Sequence, residues 1–206
     1  MSDNKYDFRK YVDRNQALNC SVPGCPNNRS RTALYCYSHQ YTYKTYGHPR
    51  HRAIRAKVID LYETRVTRVL LRNLTHSGIK SALEMLDVWL KGEDQNVPHF
   101  KRIAELKNTS PFELLVAISA IAHIYRTTDN FILDEKHYQY SLGHALLHKH
   151  KAGLGTGIIR GKERRDVGRY IKDVFGVLLI GISDAVIERD NKNKIMYQNF
   201  QKKLKP

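Results

Sequence analysis

No stretch of this 206-residue sequence holds the roughly 18 apolar residues that a helix needs to cross a bilayer. The nearest approach, Leu114 to Tyr125, is short and contains His123, so a soluble, non-membrane protein is expected. The opening residues, Met-Ser-Asp-Asn-Lys-Tyr-Asp, carry no apolar signal region. Cysteine is scarce too. There are three, an odd number, all between Cys20 and Cys36, which argues against a disulfide framework and fits a reducing cytoplasm. Acidic residues are outnumbered, 20 against 35 lysines and arginines, for a formal net charge of +15. Such a balance favours a polyanionic partner.

The charge is uneven. Residues 1–57 carry 11 basic and 3 acidic side chains, residues 58–152 carry 12 and 11, and residues 153–206 carry 12 and 6. A nearly neutral middle between basic ends points to a packed body with binding surfaces at either side.

What is present in the first quarter is a ligand-like spacing. Cys20-Ser-Val-Pro-Gly-Cys25, ten intervening residues, and Cys36-Tyr-Ser-His39 form two donor pairs separated by a loop. Zinc accepts thiolate and imidazole in tetrahedral geometry, and Gly24 permits the turn that brings two sulfurs together. The pair Cys36 and His39 needs one helical turn, which Gln40 to Tyr46 can continue until Gly47 and Pro49 end it. His48 is the weaker alternative fourth ligand. Residues 20–39 contain no Asp or Glu, so no general base stands near, and the expected role of the zinc is structural. Around the ligands, Arg29, Arg31, Lys44, Arg50, Arg52 and Arg55 interleave with Tyr35, Tyr37, Tyr41, Tyr43 and Tyr46. Arginines fork onto phosphates, and tyrosines either stack on bases or pack beneath a small module.

Cys-x-Val-x-Gly-Cys, a basic loop, Leu34-Tyr35-Cys36-x-x-His39 and Tyr46-Gly47-His48-Pro49 together resemble a small zinc-binding module. That module occurs near the start of bacteriophage and bacterial DNA-associated proteins, including some HNH-type homing endonucleases. The resemblance covers residues 18–50. It implies a zinc-finger-like, DNA-associated role and a bacteriophage origin, hence a host-cell cytoplasmic location. An HNH nuclease also needs a His-Asn-His set on a ββα hairpin, and residues 51–206 offer no strand pair to hold one.

The rest reads as helices. From Ile54, the apolar positions Val58, Leu61, Val66, Val69, Leu70 and Leu74 recur at helical steps. Arg65, Arg68 and Arg72 share another face. A second helix is expected from Ser77 through Ile79, Leu83, Leu86, Trp89 and Leu90 to Gly92. Ser110-Pro111-Phe112-Glu113 combines an N-cap, a first-turn proline and a capping-box glutamate, opening an apolar helix that should be central and buried. Further helices are expected at about Asp134–His150 and Glu163–Glu188. The second has a core stripe of Val167, Ile171, Val174, Leu178 and Ile182, with Gly176 and Gly181 as points of close approach. His144 and His148 fall at helical spacing, but no carboxylate motif accompanies them. The glycine-rich run from Gly153 to Lys162 fails the Walker pattern and reads as a loop. With Arg160, Lys162, Arg164, Arg165 and Arg169 it forms a second candidate nucleic-acid contact.

The expected fold is therefore mainly α: an extension (1–17), a zinc-binding module (18–50), an all-helical domain (51–190) and a basic tail (191–206). The leading function is a non-enzymatic, nucleic-acid-binding zinc protein, with DNA favoured over RNA. One alternative is an adaptor for a polymerase or another transcription or replication protein. A second is a metal-dependent nuclease, for which Asp134 and Glu135 beside His137 are the only compact set.

Overall fold

The computed structural model describes residues 7–106, 109–128, 131–148 and 161–203, with backbone only at 148 and 199–203. The chain is 71% helical, with eight helices and no strand among the described residues. It divides into two compact units, Met1–Arg52 and Ala53–Pro206.

The first unit holds α1 (Phe8–Gln16) and α2 (Tyr37–Tyr46), joined by irregular chain with one antiparallel bridge between Asn19 and Asn28. Gly47, at φ 83°, ends α2 in the left-handed conformation that glycine adopts without a Cβ penalty. Helix α1 was not foreseen. It belongs to the same compact unit as the cysteines, because Asn15 near its end is buried and its side-chain amide donates to the carbonyls of Arg31 and Ala33 at 2.6 and 2.9 Å.

The second unit is a helical body of α3 (Ala56–Arg72), α4 (Ser77–Lys91), α5 (Phe100–Ala104), α6 (Pro111–Thr127), α7 (Glu135–His148) and α8 (Gly161–Lys203). Ser110 and Glu113 close the expected capping box, the Ser110 N–H donating to the glutamate at 2.8 Å and the Glu113 N–H to the serine hydroxyl at 3.2 Å. Every residue from Leu114 to Ile124 is buried, and α6 packs against α3, α4, α7 and α8. A helix apolar on all sides has no stable place at a surface, which is why it sits at the centre. Among the described residues no helix is long and apolar enough to cross a membrane.

The expected core stripes, close-approach glycines and tail need correction. On α3, Leu61 is exposed and Tyr62 packs on the core instead, and Leu74 lies exposed beyond the helix end. On α8 the buried line runs Val167, Ile171, Phe175, Leu179, Ile182 and Val186, leaving Val174 exposed and Leu178 only partly covered. Phe175 is claimed by Trp89, their ring centroids 5.3 Å apart, and that bulky contact sets which face of α8 turns inward. The close-approach glycines are also different. A Cβ on Gly176 or Gly181 would meet nothing within 4 Å, whereas one on Gly143 would lie 1.8 Å from the Arg164 carbonyl oxygen and one on Gly168 1.7 Å from that of Gln139. Helices α7 and α8 thus touch backbone to backbone. Finally, Lys192 onward is no separate tail: α8 continues through it to Lys203.

Candidate metal centre

The site is built locally. Val22-Pro23-Gly24-Cys25 is a β-turn closed by the Cys25 N–H donating to the Val22 carbonyl at 3.0 Å. Proline at the second position and Gly24 at φ 79° in the third are the signature of a type II turn. Glycine is needed there for its backbone alone, since no atom lies within 4 Å of where its Cβ would be. The flanks are held by Cys20 N–H to Asn27 (2.9 Å), Arg29 N–H to Leu18 (2.9 Å) and Ser21 N–H to Leu34 (3.0 Å). Cys36 is the N-cap of α2 and His39 lies three residues into its first turn, so one helical turn presents both side chains on one side.

These elements bring Cys20, Cys25, Cys36 and His39 together, their ligand atoms all within 4.8 Å of one another. His39 Nδ1 lies 3.4 Å from both Cys20 Sγ and Cys36 Sγ, and Cys25 Sγ lies 3.9 Å from Cys36 Sγ. All three cysteines are free thiols, Cys20 and Cys36 buried and Cys25 half-buried. Burial works against ionising Cys20, but N–H groups of Cys36 and Val22 and the His39 and Cys25 side chains bond its sulfur. The thiol is lowered from its usual 9.0 to about 6. At Cys25 the Asn27 backbone favours the thiolate, yet burial and the neighbouring Cys20 and Cys36 sulfurs outweigh it and raise the thiol. Adjacent sulfurs resist sharing negative charge, and a cation between them removes that conflict. This Cys/His cluster can hold a metal ion. His48 is not part of it: its ring stacks on His51 at 4.4 Å, and its Nδ1 accepts from the Arg50 N–H.

The expected basic contacts fall into three groups. Some are occupied within the fold. Arg29 donates to the Asn19 carbonyl, the Asn15 side chain and the Ser21 hydroxyl at 3.1 to 3.4 Å, which makes it a brace of the module. Arg164 hydrogen-bonds the Tyr140 hydroxyl and lies 5.4 Å from that ring, and Arg165 is half-buried. Others are exposed: Arg31, Lys44, Arg50 (which also donates to the Pro23 carbonyl) and Arg52 in the first unit, Arg55, Lys162 and Arg169 in the second. Arg160 and the run Gly153–Gly157 lie outside the described residues. On α3, Arg65 pairs with Asp190 at 3.3 Å.

The tyrosines divide as well. Tyr35 and Tyr43 pack on each other, 5.4 Å between ring centroids, while Tyr37 and Tyr41 are 81% and 65% exposed. A groove of about 540 Å³ beside α2 is lined by Ser30, Arg31, Tyr37, Gln40, Tyr41 and Lys44. Gln40 and Asn15 were not singled out from the sequence. Position on the α2 face could have flagged Gln40; nothing local flags Asn15, whose partners lie 16 and 18 residues away.

The acidic and histidine set of the nuclease alternative has structural roles. Asp134 accepts the His137 N–H at 2.8 Å at the start of α7, His137 Nδ1 accepts the Leu133 N–H, and Glu135 pairs with Lys172. His144 stacks on Tyr140, ring centroids 5.7 Å apart, and the His148 side chain lies outside the described residues. In comparisons with known proteins, no family model, no curated protein and no solved structure matches this chain.

Proposed function

We propose that this chain is a non-enzymatic nucleic-acid-binding protein whose first unit is held together by one structural zinc ion on Cys20, Cys25, Cys36 and His39. The observation that carries the zinc assignment is the spacing of the donors. Zn–S and Zn–N bonds of about 2.3 and 2.0–2.1 Å at tetrahedral angles separate sulfurs by about 3.8 Å and sulfur from nitrogen by about 3.5 Å. The 3.9 Å and 3.4 Å separations here match those edges. Zinc would supply cross-linking and no chemistry, since the four protein donors fill its coordination shell.

The nucleic-acid reading rests on the surface that such an ion would support. From Arg14 to Ile59 there is no acidic side chain, and the exposed Arg31, Lys44, Arg50 and Arg52 share the unit with the most exposed tyrosines, Tyr37 and Tyr41. DNA is preferred to RNA on the resemblance of residues 18–50 to modules of phage and bacterial DNA-associated proteins, which also suggests a phage origin. The test is binding of zinc-loaded protein to DNA and RNA across a salt series. Affinity should fall by orders of magnitude between about 50 and 200 mM salt if many phosphates are contacted.

A second reading, an adaptor for a polymerase or similar partner, is favoured by Val174, Val177 and Ile180 on α8, of which Val177 is 88% exposed. Docking through such a strip would be nearly insensitive to salt.

A further inference from the structure

The groove beside α2 is more specific than a basic surface requires. Tyr37 lies three and four residues before Gln40 and Tyr41, and these lie four and three before Lys44, so all four share a helix face, and Arg31 and Ser30 border it from the preceding loop. Two of the four tyrosines Tyr35, Tyr37, Tyr41 and Tyr43 pack on each other, and the other two stand in this groove with most of their surface open. Arg31 has a left-handed backbone, φ 46°, a conformation that costs a residue with a side chain about 1 kcal/mol or more. It is held there by the buried Asn15 amide on its carbonyl.

We propose that this groove takes a single-stranded nucleic-acid segment, with bases stacked on Tyr37 and Tyr41, phosphates against Arg31 and Lys44, and Gln40 within reach of base edges. The inference rests on the nucleic-acid reading above and adds strandedness. The physical reason is the tyrosine face. In a duplex the flat faces of the bases are covered by their neighbours, and a protein meets only their edges and the backbone. Only an unstacked base offers a π-face to a ring. Residues one helical turn apart stand about 6 Å apart, wider than the ~3.4 Å rise per base of a stacked strand, so each ring receives its own base. An oligonucleotide is also the polyanion that matches both aspects of the lining, aromatic and cationic.

The experiment uses the full, zinc-loaded chain, with labelled thymidine and uridine oligomers and a DNA duplex of equal length, followed by fluorescence anisotropy at several salt concentrations. The single strands should bind tighter than the duplex. Tyr37→Ala and Tyr41→Ala should each weaken single-strand binding about ten- to a hundredfold, leaving duplex affinity and the salt slope unchanged, whereas the two Phe variants retain affinity. Lys44→Ala should instead lower the salt slope by about 0.7. Zinc content confirms that each variant keeps its module. Duplex preference in the wild type, or Ala variants that bind single strands as well as the wild type does, would overturn this groove assignment while leaving nucleic-acid binding in place. Absence of salt-dependent binding to every probe would overturn both.

Discussion

Replacing Cys25 by serine isolates the metal's contribution. Cys25 is half-buried, and a hydroxyl fits where the thiol was, so the substitution removes a donor without opening a cavity. Among the described residues, the buried hydrophobic cluster of the first unit is Cys20, Val22 and Cys36, with Cys25 and Tyr35 against it. At about 1.5–3 kcal/mol per fully buried side chain, those three supply at most roughly 5–9 kcal/mol. A structural zinc site contributes about 10–16 kcal/mol at neutral pH, more than that cluster. A unit this small, with so few buried side chains, needs such a staple to stay ordered. Cys25→Ser, or chelation of the wild type, should therefore release the metal and unfold the first unit while the helical body persists. Because α1 and α2 hold only 9 and 10 residues of a chain that is 71% helical, helical circular dichroism should drop by only roughly an eighth. Limited proteolysis should cut within residues 18–50 and spare the rest. A Cys25→Ser protein that still carries one zinc per chain and resists cleavage there would refute the reasoning.

Other outcomes follow from the packing. Gly24→Ala places a side chain at φ 79° with free space around it, so backbone strain of about 1–2 kcal/mol should weaken zinc affinity about tenfold; Gly24→Asn should lose less. A metal titration distinguishes the two. Gly168→Ala puts a Cβ 1.7 Å from the Gln139 carbonyl oxygen, and because that neighbour is backbone it cannot rotate away. The helical body should lose about 3 kcal/mol or more in denaturant unfolding, while Gly176→Ala, with nothing within 4 Å, should be neutral or slightly stabilising. Burial pushes the His123 imidazole below its usual 6.5; the Asp190 carboxylate opposes this, and Arg65 and Arg126 add to it. The unfolded chain then binds a proton near pH 6.5 that the folded one refuses, so stability falls as pH drops through that value. Asn at 123 keeps a partner for the Ser183 hydroxyl, which lies 2.9 Å from His123 Nδ1. The stability gap between wild type and His123→Asn should accordingly narrow below pH 6.5. A gap constant from pH 5 to 8, measured by urea unfolding, would contradict the assignment.

Where a partner lies within a turn or two of chain, the sequence by itself was enough. Pro23-Gly24 specifies its turn, Ser110 and Glu113 their capping box, Gly47 and Gly92 their helix ends, and Cys36 and His39 a shared side of one helical turn, because each bond is closed by residues three or four apart. The cluster of Cys20, Cys25, Cys36 and His39 was legible for the same reason: two local pairs, each prearranged, need only one loop to meet. What only the tertiary structure decided are the choices among equivalent residues. Helical periodicity made Val174 and Leu178 as good a stripe as Phe175 and Leu179, and contact with Trp89 on another helix chose the latter. Nothing in composition separates Gly143 and Gly168 from Gly176 and Gly181; the crossing of α7 and α8 does. Likewise Arg29 is bound inward and Arg31 left at the groove, with Asn15 bridging both from a helix the local pattern did not announce. A side chain's direction depends on what comes to lie beside it, and for these residues that neighbour arrives from distant chain.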